Sequence, residues 1–182
     1  MSGIRIEVVD EFPEPAFSQL QHSVFCGVQG YSAAMQDALT SEAEALPAWP
    51  KGSALSPSLR LGAYEGGTLV GWSFGWLERG RVFYMANSGV IASRRRGGLY
   101  TRLVEAVCQH ASAIGAIAVK SEHSVLNNGV IIAKLRLGFG ITGLSQSAQM
   151  GALVELTRHL SAQRDGVFRS RAIPFTGSSG PQ

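Results

Sequence analysis

Apolar residues alternate with no helical interruption from about residue 60 to residue 91, then recur at helical spacing from Leu99 onward. A period of two belongs to a strand and a period of 3.6 to a helix, so this one change limits the fold more than any other feature. Residues 60–64 and 68–78, joined by Glu65-Gly66-Gly67, and then 81–91 after Glu78-Arg79-Gly80, read as an antiparallel meander. In its middle strand Val70, Trp72, Phe74 and Trp76 are expected on one face and Leu69, Gly71, Ser73 and Gly75 on the other. Leu99, Leu103, Ala106, Val107 and His110 then describe a helix from about 98 to 113. A strand at 116–122, a helix at 128–137 and two strands near 139–147 and 150–157 follow. Upstream, 4–9 predicts a first strand, closed by Pro13 and Pro15. Phe17, Leu20, Val24, Val28 and then Met35, Leu39, Ala43, Leu46 predict two helices punctuated by Gly27 and Gly30. Residues 47–58 form a Pro/Ser/Gly-rich loop and 158–171 a basic helix. A meander followed by strand–helix–strand–helix–strand predicts an α/β (α+β) fold with one mixed sheet of about seven strands flanked by helices, not a doubly wound parallel one.

The 182 residues suit one domain over 1–171, with 172–182 as a disordered tail. An apolar fraction of 45% allows a packed core. No apolar run approaches the roughly 18 residues of a membrane span, and acids interrupt the N-terminal stretch MSGIRIEVVDEF, so a cytoplasmic protein is expected. Cys26 and Cys108 cannot build a disulfide framework or a zinc site and read as buried, reduced thiols; no metal is expected. Net charge is only +3, and 13 of the 16 basic residues are Arg, which weakens an isolated Arg as a functional signal.

Two motif matches fail on context. Gly71-Trp72-Ser73-Phe74-Gly75 fits G-x-S-x-G, but a nucleophile elbow needs a strand, a sharp turn and a helix, and alternation runs straight through Ser73. Gly138-Phe139-Gly140-Ile141-Thr142-Gly143 fits G-x-G-x-x-G, but it follows a helix and enters a strand, the reverse of a dinucleotide site.

One motif has the right context. Val90-Ile91-Ala92-Ser93-Arg94-Arg95-Arg96-Gly97-Gly98-Leu99-Tyr100 follows a strand and opens an apolar helix. Unpaired amides and the positive dipole end make such a junction an anion site. Gly97 and Gly98 admit close backbone approach, and the arginines add charge and forked donors. These residues point to phosphate or pyrophosphate.

Here the sequence resembles the GNAT superfamily of N-acetyltransferases. The family's [Q/R]-x-x-G-x-[G/A] lies on Arg95-Arg96-Gly97-Gly98-Leu99-Tyr100, with Tyr100 in place of the usual small residue. The family's helix N-x-A-(apolar)-x-L-Y-x-K-x-G-F aligns without a gap on residues 128–139, from Asn128 to Phe139. The likeness covers about residues 60–157. It implies a V-shaped sheet, splayed where 81–91 parts from 116–122, with acetyl-CoA in the cleft as acyl donor. The pantetheine would pair with backbone near Val90 and Ile91, and the pyrophosphate would sit on amides of Arg95, Arg96, Gly97, Gly98, Leu99 and Tyr100. Asn128 would meet the pantetheine or cap its helix. Asn87 and Ser88 would lie near the acceptor.

The resemblance also implies direct transfer to an amine, with an acid protonating the departing thiolate. The family's usual acid is a Tyr, and Lys134 stands there. Its reference pKa, about 10.4, is close to the roughly 10 of Tyr. The alternative is a half-exposed helix lysine and catalysis without a dedicated acid. Glu122 and His123 are candidate bases at the end of strand 116–122; adjacent strand residues face opposite ways, so at most one points at substrate. The acceptor is a small-molecule or peptide amine of unread identity. Of Trp49, Trp72 and Trp76, the last two are assigned to the core. A non-catalytic acyl-CoA-binding domain is the second interpretation. An aminoacyl-tRNA-directed enzyme is the third, on Arg94–Arg96, Arg102, Arg158, Arg164, Arg169 and Arg171, although CoA phosphates already account for the first cluster. The final strands and C-terminal segment are candidate homodimer surfaces.

Overall fold

The computed structural model describes residues 3–25 and 57–172. Its elements are β1 (Arg5–Val8), α1 (Ala16–Phe25), β2 (Ser58–Glu65), β3 (Thr68–Leu77), β4 (Val82–Val90), α2 (Leu99–Ala113), β5 (Ala118–Ser124), α3 (Asn128–Arg136), β6 (Gly140–Ser147), β7 (Gly151–His159) and α4 (Ala162–Ala172). The strands form one sheet in the order β1-β2-β3-β4-β5-β7-β6. The second predicted helix, most of the 47–58 loop, Cys26, Trp49 and the tail lie outside the described residues. The last strand runs on through His159, so the basic helix begins at Ala162 rather than at 158.

Every neighbouring pair is antiparallel except β4 and β5, which α2 connects as a crossover. That parallel ladder is short: Val82↔Ala118, Phe83↔Val119 and Tyr84↔Lys120. Past it, β4 stays on β3 as far as Val90↔Gly71, while β5 stays on β7 as far as Ser124↔Leu153. The sheet therefore opens into a V between β4 and β5.

The apolar face of α2 (Leu99, Leu103, Val104, Val107, Ala111) packs on one side of the sheet against Leu59, Leu61, Ala63, Phe83, Met85, Val119 and Leu156. On the other side α1 brings Leu20, with Phe17 and Phe25 edge-on to Trp72 at 5.6 and 5.9 Å. With both faces covered, β3 is apolar on both, which explains its nearly continuous burial.

The predicted facing of β3 fails at one step. Ala63 pairs with Gly71 and Tyr64 with Leu69, leaving Val70 as an extra residue. Such a bulge shifts the alternation. Leu69 accordingly joins Trp72 in the α1-side cluster and Val70 joins the α2-side core. A second bulge falls in β4, where Phe74 pairs with Asn87 and Gly75 with Met85, leaving Ala86 over. Ser73 lies inside β3, buried and paired with Leu61 and Ser88, so no nucleophile elbow exists there.

Candidate active site

The end of β4 runs into a tight 3-10 turn at Ala92–Arg94, and α2 starts after it with no side-chain cap. Arg96 and Gly98 both take positive φ, at 62° and 78°. The amide of Arg94 bonds to Ile91 O at 3.0 Å and that of Arg95 to Ala92 O at 3.3 Å. The next inward bond is Arg102 N to Gly98 O. The amides from Arg96 to Thr101 thus have no backbone acceptor outside the helix among the described residues, and Ala92 to Gly98 are exposed. Alternating left- and right-handed residues at an uncapped helix start form an anion nest. The Arg95 amide, predicted to take part, is already used inside the turn.

The arginines divide. Arg95 Nε donates to Val90 O at 3.0 Å, and Arg94 is ion-paired with Glu65 at 2.6 Å. Arg102 reaches Ile4 O at 2.8 Å, and only Arg96 of the run has no recorded side-chain partner among the described residues. The backbone at Val90 and Ile91 is less open than predicted, since Ile91 N bonds to Val70 O and Val90 O receives Arg95. The open edge of β4 is the stretch from Met85 to the Val90 amide, which has no ladder to β5. Beside it the Tyr100 hydroxyl is buried without a hydrogen bond; burial pushes it up to about 12, with neighbouring Ser88 pulling the other way.

At the vertex of the V, α3 sends Lys134 into the core. It is 0% exposed, not half-exposed. Its Nζ lies 3.0 Å from Met85 Sδ and 4.2 Å from the Phe139 ring centre. Burial lowers its pKa to about 7, with Cys108 acting in the opposite sense. The α3 cap is Asn127, whose Oδ1 accepts from Val130 N at 3.5 Å; Asn128 is the first helical residue and exposed. This corrects the capping role considered for Asn128.

Glu122 and His123 separate to opposite faces, as strand alternation requires. His123 shares the α2 side with Lys134; its Nε2 lies 3.1 Å from Ser121 Oγ. Burial, with Lys134 adding to it, pushes its pKa down to about 3, too weak to hold a proton taken from an ammonium. Glu122 lies on the α1 side, where Tyr84 Oη donates to Oε2 at 3.2 Å and Ser145 Oγ to Oε1 at 2.8 Å. Donors from β4 and β6 thus hold one carboxylate of β5 across the splay. Around it stand Lys120, 3.1 Å from Glu78 and 5.3 Å from the Tyr84 ring centre, and Trp76, 5.2 Å from Tyr84. Trp76 is half-buried at this face rather than in the core. Tyr84 and Ser145 were missed because each is an ordinary strand residue until three strands come together. Asn87 holds Trp72 Nε1 at 2.8 Å, a packing role.

A family model described as "Acetyltransferase (GNAT) family" matches residues 28–139. No curated protein matches the sequence. Among solved structures, the ribosomal-protein-S18-alanine N-acetyltransferase from Escherichia coli is similar at 14% identity and TM-score 0.64, over 87% of this chain and 95% of that one. A Bacillus subtilis acetyltransferase in complex with CoA is similar at 16% identity and TM-score 0.62, over 87% and 100%. A GNAT family acetyltransferase from Elizabethkingia anophelis with acetyl-CoA bound is similar at 14% identity and TM-score 0.60, over 86% and 97%.

Proposed function

The chain belongs to the GNAT acetyltransferase family, and from that premise we propose that it moves an acetyl group from acetyl-CoA directly to a primary amine in the cytoplasm. The observation that carries this is the run of unbonded amides from Arg96 to Thr101 beside the unpaired edge of β4. A pyrophosphate suits the first and an amide-bearing pantetheine arm the second. The B. subtilis and E. anophelis proteins with CoA and acetyl-CoA support the same donor.

In this proposal Arg96, Gly97, Gly98, Leu99 and Tyr100 hold the phosphates, and the edge at Ser88 and Val90 aligns the thioester. Arg95 acts indirectly, by bracing Val90. Asn128, exposed at the start of α3, would flank the arm. The amine nitrogen attacks the acetyl carbon, the C–S bond breaks and the CoA sulfur leaves as thiolate. Lys134 would give it a proton, and a pKa near 7 suits an acid that must be both loaded and willing to release. Glu122, fixed by Tyr84 and Ser145, would take the proton shed by the amine; His123 is the weaker candidate because of its suppressed basicity. The acceptor is a small molecule or a peptide terminus. A homodimer through the final strands belongs to the same proposal, since edge strand β6 leaves Ile141 and Leu144 exposed.

The internal ties of Arg94, Arg102 and Arg169 count against a nucleic-acid surface. The test is thermal unfolding across an acetyl-CoA titration, followed by an amine screen that detects free thiol. Ligand at 100 times its Kd adds about 2.7 kcal/mol, a rise of roughly 5–10 °C at this size. No rise at millimolar acetyl-CoA overturns the proposal; a rise with no amine acetylated leaves an acyl-CoA-binding domain.

A further inference from the structure

On the α1 side of the sheet, Phe17 and Phe25 close over Trp72, but the rings that follow it are only half-buried. Phe74 and Trp76 of β3 lie 5.6 Å apart between ring centres, and Trp76 meets Tyr84 of β4 edge-on at 5.2 Å. Tyr84 Oη reaches Glu122 at 3.2 Å, so an aromatic floor runs up to the carboxylate beside the splay.

The charges along this floor are unevenly matched. Arg60 stands over the Phe74 ring at 5.1 Å and Lys120 over the Tyr84 ring at 5.3 Å, so both outer rings already hold a cation. Among the described residues no cation is recorded over Trp76 between them. Lys120 shares the face of Glu122, two residues away, yet it turns to Glu78 at 3.1 Å and Glu155 at 3.8 Å. Glu122 is left with two neutral donors, Tyr84 and Ser145, and no ion pair among the described residues. A carboxylate fixed without a counter-charge at the end of an aromatic floor matches an ammonium carried on an apolar body.

We propose that the acceptor is a monocationic primary amine with an apolar body, its ammonium on Glu122 and its body on Trp76 and Phe74. This rests on the amine acetyltransferase function proposed above and narrows its acceptor. A second ammonium on the floor would lie between Arg60 and Lys120 and be repelled by both. A carboxylate next to the amine, as in a free amino acid, would face Glu122 and its cross-strand partner Glu155, with Lys120 already engaged.

The experiment titrates amines into the full chain saturated with CoA, by calorimetry, and follows thiol release from acetyl-CoA with the same amines. Phenylpropylamine should bind roughly a hundredfold more tightly than methylamine, because only its body covers the rings. Putrescine and phenylalanine should each bind at least tenfold more weakly than phenylpropylamine. In Trp76→Ala the preference for phenylpropylamine over methylamine should shrink at least tenfold while acetyl-CoA still raises the unfolding temperature. Trp76→Leu, which keeps bulk against Phe74 and Tyr84, should shrink it too and covers the case where the first variant fails to fold. Equal affinity for all four amines, preference for putrescine or phenylalanine, or a preference kept in both variants would overturn this acceptor class. So would the absence of amine binding to a protein that acetyl-CoA stabilises. Failure of acetyl-CoA to stabilise the wild type is a different result: it removes the transferase function itself, and this acceptor with it.

Discussion

Lys134 Nζ approaches Met85 Sδ to 3.0 Å and forms no ion pair among the described residues, so α3 and β4 meet at the sheet's vertex through an amine and a thioether. A buried ammonium without a counterion is costly, and the group responds by giving up its proton. The folded pKa of about 7 lies below the 10.5 of the unfolded chain. Between those values the unfolded chain binds more protons, so this group makes stability rise as pH goes from 7 to 10.5. At ~1.4 kcal/mol per unit the full effect is on the order of 5 kcal/mol. Lys134→Met should therefore stabilise the protein by a few kcal/mol at pH 6–7 and flatten this slope. Urea unfolding at pH 6, 8 and 9.5 reads both.

His123 acts in the same direction at lower pH. Burial, then Lys134, holds its folded pKa at about 3, against 6.5 unfolded. Stability should fall as pH drops from 6.5 toward 3, because only the unfolded chain takes up this proton. In His123→Asn the acid limb should be shallower by nearly one bound proton. A pH series of unfolding midpoints measures it.

Two glycines allow the strands to meet. A Cβ on Gly89 would stand 2.5 Å from the Trp72 ring, and one on Gly75 would strike the Tyr84 carbonyl and the Phe83 ring at the bulge. A tryptophan already locked by Phe17, Phe25 and Asn87 has little room to retreat, and backbone has less. Gly89→Ala should cost about 1–3 kcal/mol and Gly75→Ala at least as much. Differential scanning calorimetry gives both, with a tryptophan emission shift expected for Gly89→Ala.

How far the sequence carried depended on whether a signal was local. Periodicity marks the described elements because each strand and helix displays its own apolar face, whereas the opening between β4 and β5 was implied only by the resemblance to the GNAT superfamily. It misplaced Leu69 and Val70, since one unpaired residue at a bulge shifts alternation without a trace in composition. It selected Asn128 where Asn127 caps, because both neighbours are Asn and only backbone geometry separates them. Lys134 was singled out by motif position, but its total burial depends on Met85, Phe139 and Cys108 arriving from three other segments. Glu122 was found as half of an adjacent pair, while Tyr84 and Ser145, its donors, sit 38 and 23 residues away. Pairings over such separations belong to the sheet, not to any window of sequence.

Gly98 separates backbone conformation from contact. Its φ is 78° and a Cβ there would meet nothing within 4 Å, so Gly98→Ala strains the chain without a clash. The cost is about 1–2 kcal/mol. If the nest binds the donor's phosphates, the same change should weaken acetyl-CoA binding by tenfold or more, because the amides that follow would turn away. Gly97→Ala, at ordinary φ and 3.8 Å from Arg94 O, should cost less in both respects. Calorimetric titration with acetyl-CoA compares the three proteins.

The carboxylate of Glu122 tests the acceptor side. Tyr84 keeps its proton far above neutrality: burial, then the Glu122 charge and hydrogen bond, raise it to about 12, so Tyr84 donates throughout the working range. With Ser145 on the other oxygen, Glu122 presents a fixed lone-pair direction to an incoming ammonium. A positioned general base contributes typically 10²–10⁴-fold. Using any amine the screen identifies, Glu122→Gln should lower kcat/KM by at least a hundredfold with acetyl-CoA affinity unchanged. Tyr84→Phe keeps the ring against Trp76 and Lys120 but frees one oxygen, and should fall between that variant and wild type. Equal loss of acetyl-CoA affinity in both variants would mean that the cleft had collapsed, and unchanged turnover in Glu122→Gln would remove Glu122 as the base.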